Sequence, residues 1–401
     1  MSADETGNPA VRLRALVVEE GGIGGVAEYT NELVGAIGRA GCEVHLAAGR
    51  DNAFGEAPNV IVHRLFPYVR GRSWPARAVR AVGLSRPVNG ASHLGADVLL
   101  AKLARTCDVV HVQGEEWPPL GAAQALMLRA ARAPMVYSPH NTFDRSARSY
   151  PRSHALIRRC AARIIVHSEF DRRALSAALA AKTVVIPHGE YGGLARRGQA
   201  RIEASTVRTQ LGIAEEELLV LLFGQLRRDK GVRDLLEAAA RAPGVTVVLA
   251  GEDHGALAEV AALLEDRRLR GRVRVLRGFV APDRAGELFA AADVVALPYL
   301  RASASGVLLL AYGYGRPVLA YPVGGLPEYV EDGRTGWLCE RADVAALTEE
   351  LQAVAAAGRG ECQTRGEAAR AFSEEHFSWD AIARRTVALY EEVSRDARRA
   401  A

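Results

Sequence analysis

Leu218-Leu219-Val220-Leu221-Leu222-Phe223-Gly224-Gln225-Leu226-Arg227-Arg228-Asp229-Lys230-Gly231 is the stretch on which the architecture turns. Six consecutive apolar residues match a strand in length. An unbroken run, rather than an alternating one, means that both faces are covered, as in a parallel sheet. Gly224 and Gly231 bracket a polar turn, and helical periodicity follows from Val232 to Arg241. Strand, turn and helix together make the opening half of a parallel crossover unit.

The same alternation continues downstream. Strands are predicted over 245–250, 273–276, 294–297 and 317–320, and a helix over 255–268. Upstream it occurs a first time: strands over 14–18, 44–48, 109–112, 135–138, 163–166 and 184–186, with a helix from Val26 to Arg39. Between the two series lies a break near 188–205, holding Gly189, Gly192, Gly193 and Gly198. The expectation is an α/β chain of two doubly wound Rossmann-like domains, 11–195 and 205–377. A long amphipathic helix running from Trp379 through Tyr390 closes the chain.

Composition narrows the function classes. In 401 residues, 49% are hydrophobic and 24% charged, which excludes a disordered, collagenous or coiled-coil chain. No apolar run reaches the roughly 18–20 residues of a membrane span, and no leader peptide is read at the start. The five cysteines are widely spaced with no CxxC pair, so reduced thiols and a cytoplasmic location are expected, with no structural zinc. The formal charge of +4 is unevenly distributed. Residues 1–195 hold 23 Lys+Arg against 17 Asp+Glu, and 196–401 hold 28 against 30. Stretches 57–96 and 145–168 contain no acid at all. Such a bias either attracts an anionic ligand or surface, or is a solvated arginine-rich face.

Three loops carry residues suited to phosphate. Gly21-Gly22-Ile23-Gly24-Gly25 follows the first strand and opens a helix, where glycines admit close approach and first-turn N–H groups face an anion. Gly22-x-Gly24-x-x-Ala27 also fits a dinucleotide fingerprint, with Glu43 or Asp51 as the ribose acid. In the second series, Arg227, Arg228 and Lys230 crowd the first turn, and Lys230 is one of only three lysines in the chain. Forked and point cations together suit a diphosphate. Ser303-Ala304-Ser305-Gly306-Val307 then leads into a helical run, so Ser305 can cap while its neighbours offer N–H groups. Glycines for tight packing and a solvated turn are the plainer readings of these loops.

In order and spacing these motifs resemble the GT-B glycosyltransferases of family 4, over roughly residues 11–395. Gly24 and Gly25 with Tyr29 are similar to the family's GG…Y element, and Gly224 through Gly231 to its G-x-L…KG segment. Gly278-Phe279-Val280 resembles the loop that reads the nucleobase. Val323-Gly324-Gly325-Leu326-Pro327-Glu328 with Asp332-Gly333-x-x-Gly336 resembles VGGxPE…DGxxG, and Phe377-Ser378-Trp379 the closing helix, which in the family crosses back to the first domain.

The resemblance implies two Rossmann-like domains with a cleft between them. It also implies retaining transfer from a nucleotide-sugar, UDP-linked by preference, to an acceptor hydroxyl. It makes His140, Arg227 and Lys230 the catalytic group. Gly24, Gly25, Gly224, Arg228, Phe279, Val280, Ser305, Gly306, Val307 and Glu328 become donor contacts, and Tyr29 and Asn141 acceptor contacts. His188 falls at the hinge. No cofactor or divalent metal is required. The implied partners are the nucleotide-sugar and a small-molecule or lipid-linked glycan acceptor. A peripheral membrane contact is compatible with the resemblance, and nucleic acid is not a partner.

The chain departs from the family in one respect. Two glutamates usually flank the donor, and their positions here are Ala302 and Leu310. A GT-B nucleotide-sugar 2-epimerase using Glu19, Glu20, Glu115 or Glu116, an NAD-dependent dehydrogenase using the first glycine loop, and a nucleotide-binding paralogue without catalysis are the rival readings.

Overall fold

The computed structural model describes residues 13–22, 24–66, 85–115, 117–140, 149–192, 204–214 and 216–400, apart from the side chains of 85–92. Two units share the chain. One comprises 1–189 with 379–401, and the other comprises 190–378.

The first unit is built on strands β1 (Arg14–Glu19), β2 (Glu43–Gly49), β3 (Val60–Phe66), β4 (Val109–Gln113), β5 (Met135–Ser138), β6 (Arg163–Val166) and β7 (Thr183–Val185). They form one sheet in the order β3-β2-β1-β4-β5-β6-β7, and every pairing is parallel. The order reverses between β1 and β4, so the loops leaving these two strands frame the crevice where such sheets bind ligands. Helix Trp379–Ala400 belongs to this unit. Its Trp379, Ile382, Ala383, Leu389, Tyr390 and Val393 recur every three or four residues, and they pack with Tyr29, Leu33 and Ile37 of helix Gly25–Arg39.

The second unit carries β8 (Leu218–Phe223), β9 (Val245–Gly251), β10 (Val273–Arg277), β11 (Val294–Leu297), β12 (Val318–Ala320) and β13 (Gly336–Leu338). Its sheet is also parallel, in the order β10-β9-β8-β11-β12-β13, with the reversal between β8 and β11. Two-faced burial explains the unbroken apolar run. Leu219 and Leu221 enter one core, and Leu218, Val220 and Leu222 enter the other. Each such side chain contributes about 1.5–3 kcal/mol by leaving water.

One helix and two strands are among the differences from the sequence reading. The helix expected over 255–268 is two short pieces, Ala256–Glu259 and Ala261–Leu264. Val260 leaves helical geometry between them and is buried at 1% exposure. Strand β3 lies at the sheet edge with only Phe66 fully buried, and the half-buried His63 and exposed Arg64 interrupt it, so it shows no apolar run. Strand β13 has three residues, too few for a periodic signal.

Candidate functional site

Each unit presents a group of loops at the C-terminal ends of its strands. In the second unit the turn after β8 begins with Gly224, whose φ is 113°. Side chains other than glycine rarely hold this geometry. A Cβ at Gly224 would lie 3.9 Å from the side chain of Val307, at the first turn of helix Gly306–Gly313. Ser305 caps that helix by accepting from Leu308 N at 3.3 Å and is itself buried. The first-turn N–H groups of Gly306 and Val307 have no partner within the helix. Gly325 N donates to Ser303 O at 3.0 Å, which ties the 324–328 loop to the same helix start. Glu328 sits on the short 3-10 turn Leu326–Glu328 with an exposed side chain. The reversal between β8 and β11 thus sets the start of the β8 turn beside a helix N-terminus.

The three cations of that turn are not equivalent. Arg227 is forked onto Asp229, with Nε to Oδ1 at 2.9 Å and Nη2 to Oδ2 at 2.8 Å, and its other arm reaches Gln225. Asp229 is acidified in return: burial opposes this, but the Arg227 hydrogen bonds and charge prevail. Arg228 is 82% exposed, with Glu259 3.8 Å away. Lys230 makes no ion pair among the described residues, and its Nζ lies 3.6 Å from the Tyr299 ring centroid. Asp229 and Tyr299 were not singled out in the sequence, because an intra-turn ion pair and a ring two residues past a strand have no motif.

On the β9–β10 side, Gly278 N donates to Gly251 O at 2.9 Å and Gly278 has a φ of 119°. Phe279 beyond it is 80% exposed, whereas Val280 packs onto the core. An exposed ring next to a strand end offers a base a stacking face. Ala302 and Leu310 both pack onto the hydrophobic core, so no carboxylate stands at either position.

In the first unit the glycine turn after β1 is held from within. The Glu19 carboxylate accepts from Gly21 N at 2.9 Å and Gly22 N at 2.8 Å. Gly24, with a φ of 99°, caps helix Gly25–Arg39 without a side-chain bond, and the Cβ positions of Gly24 and Gly25 face open space. His140, two residues past β5, has a φ of 27°, a strained value for a residue with a side chain. Its Nε2 lies 2.7 Å from Gln113 Oε1, and its Nδ1 lies 3.4 Å from His167 Nε2. Loss of solvent, then the charges of His167, His188 and His111, hold its pKa well below the usual histidine value. Tyr29 is 2% exposed, and its ring meets those of His140, His167, His188 and Trp379. It therefore packs edge-on against His140, with centroids 4.8 Å apart, and is buried. His188, hydrogen-bonded to Gly189 O at 2.8 Å, belongs to the same cluster. Asn141 lies outside the described residues.

The acids that the rival readings need are engaged elsewhere. Glu20 is buried with His93 at 2.9 Å and Gln124 at 3.0 Å. Glu115 accepts from Tyr137 at 2.5 Å and pairs with His154 at 2.8 Å. Glu116 lies outside the described residues. Glu43 is the first residue of β2, the end away from the glycine turn, so it is not placed as a ribose acid. Among the described residues no group of three or more His, Cys, Asp or Glu is placed to hold a metal ion. Among the same residues no helix is long and apolar enough to cross a membrane.

The comparisons with known proteins agree with this arrangement. Residues 23–189 match the family model Glycosyltransferase Family 4, and residues 217–356 match Glycosyl transferases group 1. A protein of Mycobacterium avium named D-inositol 3-phosphate glycosyltransferase is 34% identical over 243 residues, 58% of this chain and 55% of that protein. The chain thus matches about half the length of such relatives. Among solved structures, HepE of Anabaena in complex with UDP-glucose superposes with a TM-score of 0.71 at 22% identity, covering 95% of this chain and 100% of that one. Sucrose-phosphate synthase of Thermosynechococcus elongatus gives 0.72 at 22% identity, with 95% and 99% covered. At these identities the superpositions speak for the fold alone. The first unit thus carries a Glycosyltransferase Family 4 domain and the second a Glycosyl transferases group 1 domain, each on a parallel doubly wound sheet.

Proposed function

We propose that the chain is a retaining glycosyltransferase that moves a sugar from a UDP-linked donor to an acceptor hydroxyl. The observation that carries this reading is that, in the second unit, the turn bearing Lys230 begins at Gly224, next to Val307 in the first turn of the helix that Ser305 caps. A leaving nucleoside diphosphate needs cationic and N–H stabilisation at that point. Phe279 supplies a surface for the base, and Gly278 lets the backbone approach it. As the C1–O bond to the diphosphate breaks, the acceptor oxygen bonds to C1 on the same face, and its proton passes to the departing phosphate oxygen. The protein acts by positioning and by stabilising charge, without a covalent nucleophile. His140, with Gln113 behind it, contacts the transferred sugar. Lys230 does the work that a divalent ion does in other transferases, so none is required.

The first unit holds the acceptor. Relatives named for an inositol phosphate make a phosphorylated polyol the first acceptor to test, in keeping with the basic surplus of residues 1–195. A lipid-linked glycan reached by peripheral contact with an anionic membrane, from the cytoplasmic side, is the other acceptor class that such a surplus suits. Ala302 and Leu310 favour one second reading, a protein that binds the nucleotide and transfers nothing. Release of UDP from UDP-glucose, measured with and without myo-inositol phosphate, separates the two. Acceptor-stimulated release supports transfer. Tight UDP binding with no release under any acceptor supports the second reading.

A further inference from the structure

We infer that Tyr299 is a positioning residue, whose ring holds the Lys230 ammonium ready for the donor diphosphate; the inference rests on the donor-site reading above. Tyr299 follows β11 and Pro298 and is 1% exposed. Its hydroxyl is buried without a hydrogen-bond partner among the described residues, so the polar end of the side chain does not explain its place. The ring face does, because Lys230 Nζ sits 3.6 Å from its centroid. A cation over a phenol ring is attracted by the ring quadrupole.

Two backbone features hold that geometry. Leu300 N donates to Asp229 O at 2.9 Å, which joins the segment after β11 to the cationic turn. Gly231 has a φ of 68°, and a Cβ there would collide with the Pro298 carbonyl oxygen. Only glycine lets the turn close down onto Pro298 and Tyr299. Charge bookkeeping points the same way. Arg227 is already neutralised by Asp229, and Arg228 stands in solvent. A carboxylate ion-paired to Lys230 would compete with phosphate, whereas a ring fixes the ammonium without taking up its N–H donors; Asp229 feels the ammonium's charge but is forked onto Arg227. The long, mobile lysine stem is thereby ordered before the ligand arrives.

The test is calorimetric titration of the full chain with UDP. Tyr299→Leu should weaken UDP binding roughly 5- to 30-fold. Tyr299→Phe, which keeps the ring and removes an unsatisfied hydroxyl, should bind within about twofold of the parent and melt no lower. In a Lys230→Ala background Tyr299→Leu should change nothing further, since the ring acts through the ammonium. Tyr299→Met, of similar length and without a ring, carries the same expectation if the leucine variant does not melt cooperatively. Full UDP affinity in the leucine and methionine variants would overturn the inference. So would a phenylalanine variant as weak as the leucine one, or a further loss in the Lys230→Ala background. If Lys230→Ala itself binds UDP normally, the donor-site reading falls, not only the role of Tyr299.

Discussion

His140 Nε2 lies 2.7 Å from the Gln113 side-chain amide, and Gln113 in turn is 4% exposed and packed against His111. A buried amide thus sets the orientation of the His140 ring. Because the imidazole is desolvated, it stays neutral through the physiological range, so its part is orientation and hydrogen bonding rather than proton transfer. His140→Ala should lower turnover by roughly 10- to 100-fold, about 1.4–2.7 kcal/mol, and leave UDP affinity nearly unchanged. Gln113→Leu should reproduce much of that loss. Steady-state kinetics beside UDP titration checks both. Equal losses of turnover and of UDP affinity would contradict the assignment.

The cations of the β8 turn should separate under mutation. Lys230→Ala removes an ammonium with no ion-pair partner among the described residues, and should cost about 2–4 kcal/mol of transition-state stabilisation, seen as a fall in kcat/KM. Arg228→Ala removes a solvated side chain and should change kcat/KM less than about threefold. An inverted order would show that the wrong cation has been assigned to the diphosphate.

The fold was legible wherever burial leaves a run of apolar residues. The β8 stretch 218–223 and the β9 stretch 245–250 fall on observed strands because both faces are covered. β3 was not legible, since an edge strand with His63 and Arg64 has no such run. The 255–268 pattern reads as one helix because periodicity does not register that Val260 leaves helical geometry to bury its side chain. At the site, Gly224, Ser305 and His140 could be named from strand ends and helix starts. Asp229, Tyr299 and Gln113 could not: Asp229 matters through an ion pair inside its own turn, and Tyr299 and Gln113 through partners that the sheet order brings near.

Stability should depend on pH in two opposite ways in the first unit. Burial, then the charge of His167, pushes His111 and His188 down to about 3. The unfolded chain takes up protons near 6.5 that the folded chain refuses, so stability falls as pH drops from about 6.5 toward 3. Each group contributes at most about 1.4 kcal/mol per pH unit in that window. His93 behaves in the reverse sense. Burial would lower its pKa, but hydrogen bonds to Asp97 and Glu20 raise it to about 10. That stabilisation is complete below about 6.5 and is lost as pH rises toward 10. Melting temperatures from pH 5 to 10 should decline at both ends. His93→Gln should lower the plateau and flatten the alkaline limb, and an unchanged alkaline limb would rule out a charged His93.

Chelation and salt test the partners. Excess EDTA should leave UDP affinity and turnover unchanged, because Lys230 and the helix start carry the charge, and a collapse of turnover restored by magnesium would show a metal requirement. Vesicles containing anionic lipid should retain the protein at low salt and release it at high salt, where the Debye length falls below about 8 Å. No retention at any salt, with salt-insensitive activity on a neutral soluble acceptor, would reduce the basic bias to surface composition.

The donor assignment is the centre of the account, and titration of the full chain with UDP and, separately, with NAD tests it most directly. One UDP per chain with saturable binding, weakened at least tenfold by Lys230→Ala and accompanied by no NAD binding, is the predicted result. Saturable NAD binding with none for UDP would contradict it, and would move the phosphate site to the glycine turn at Gly22, Gly24 and Gly25.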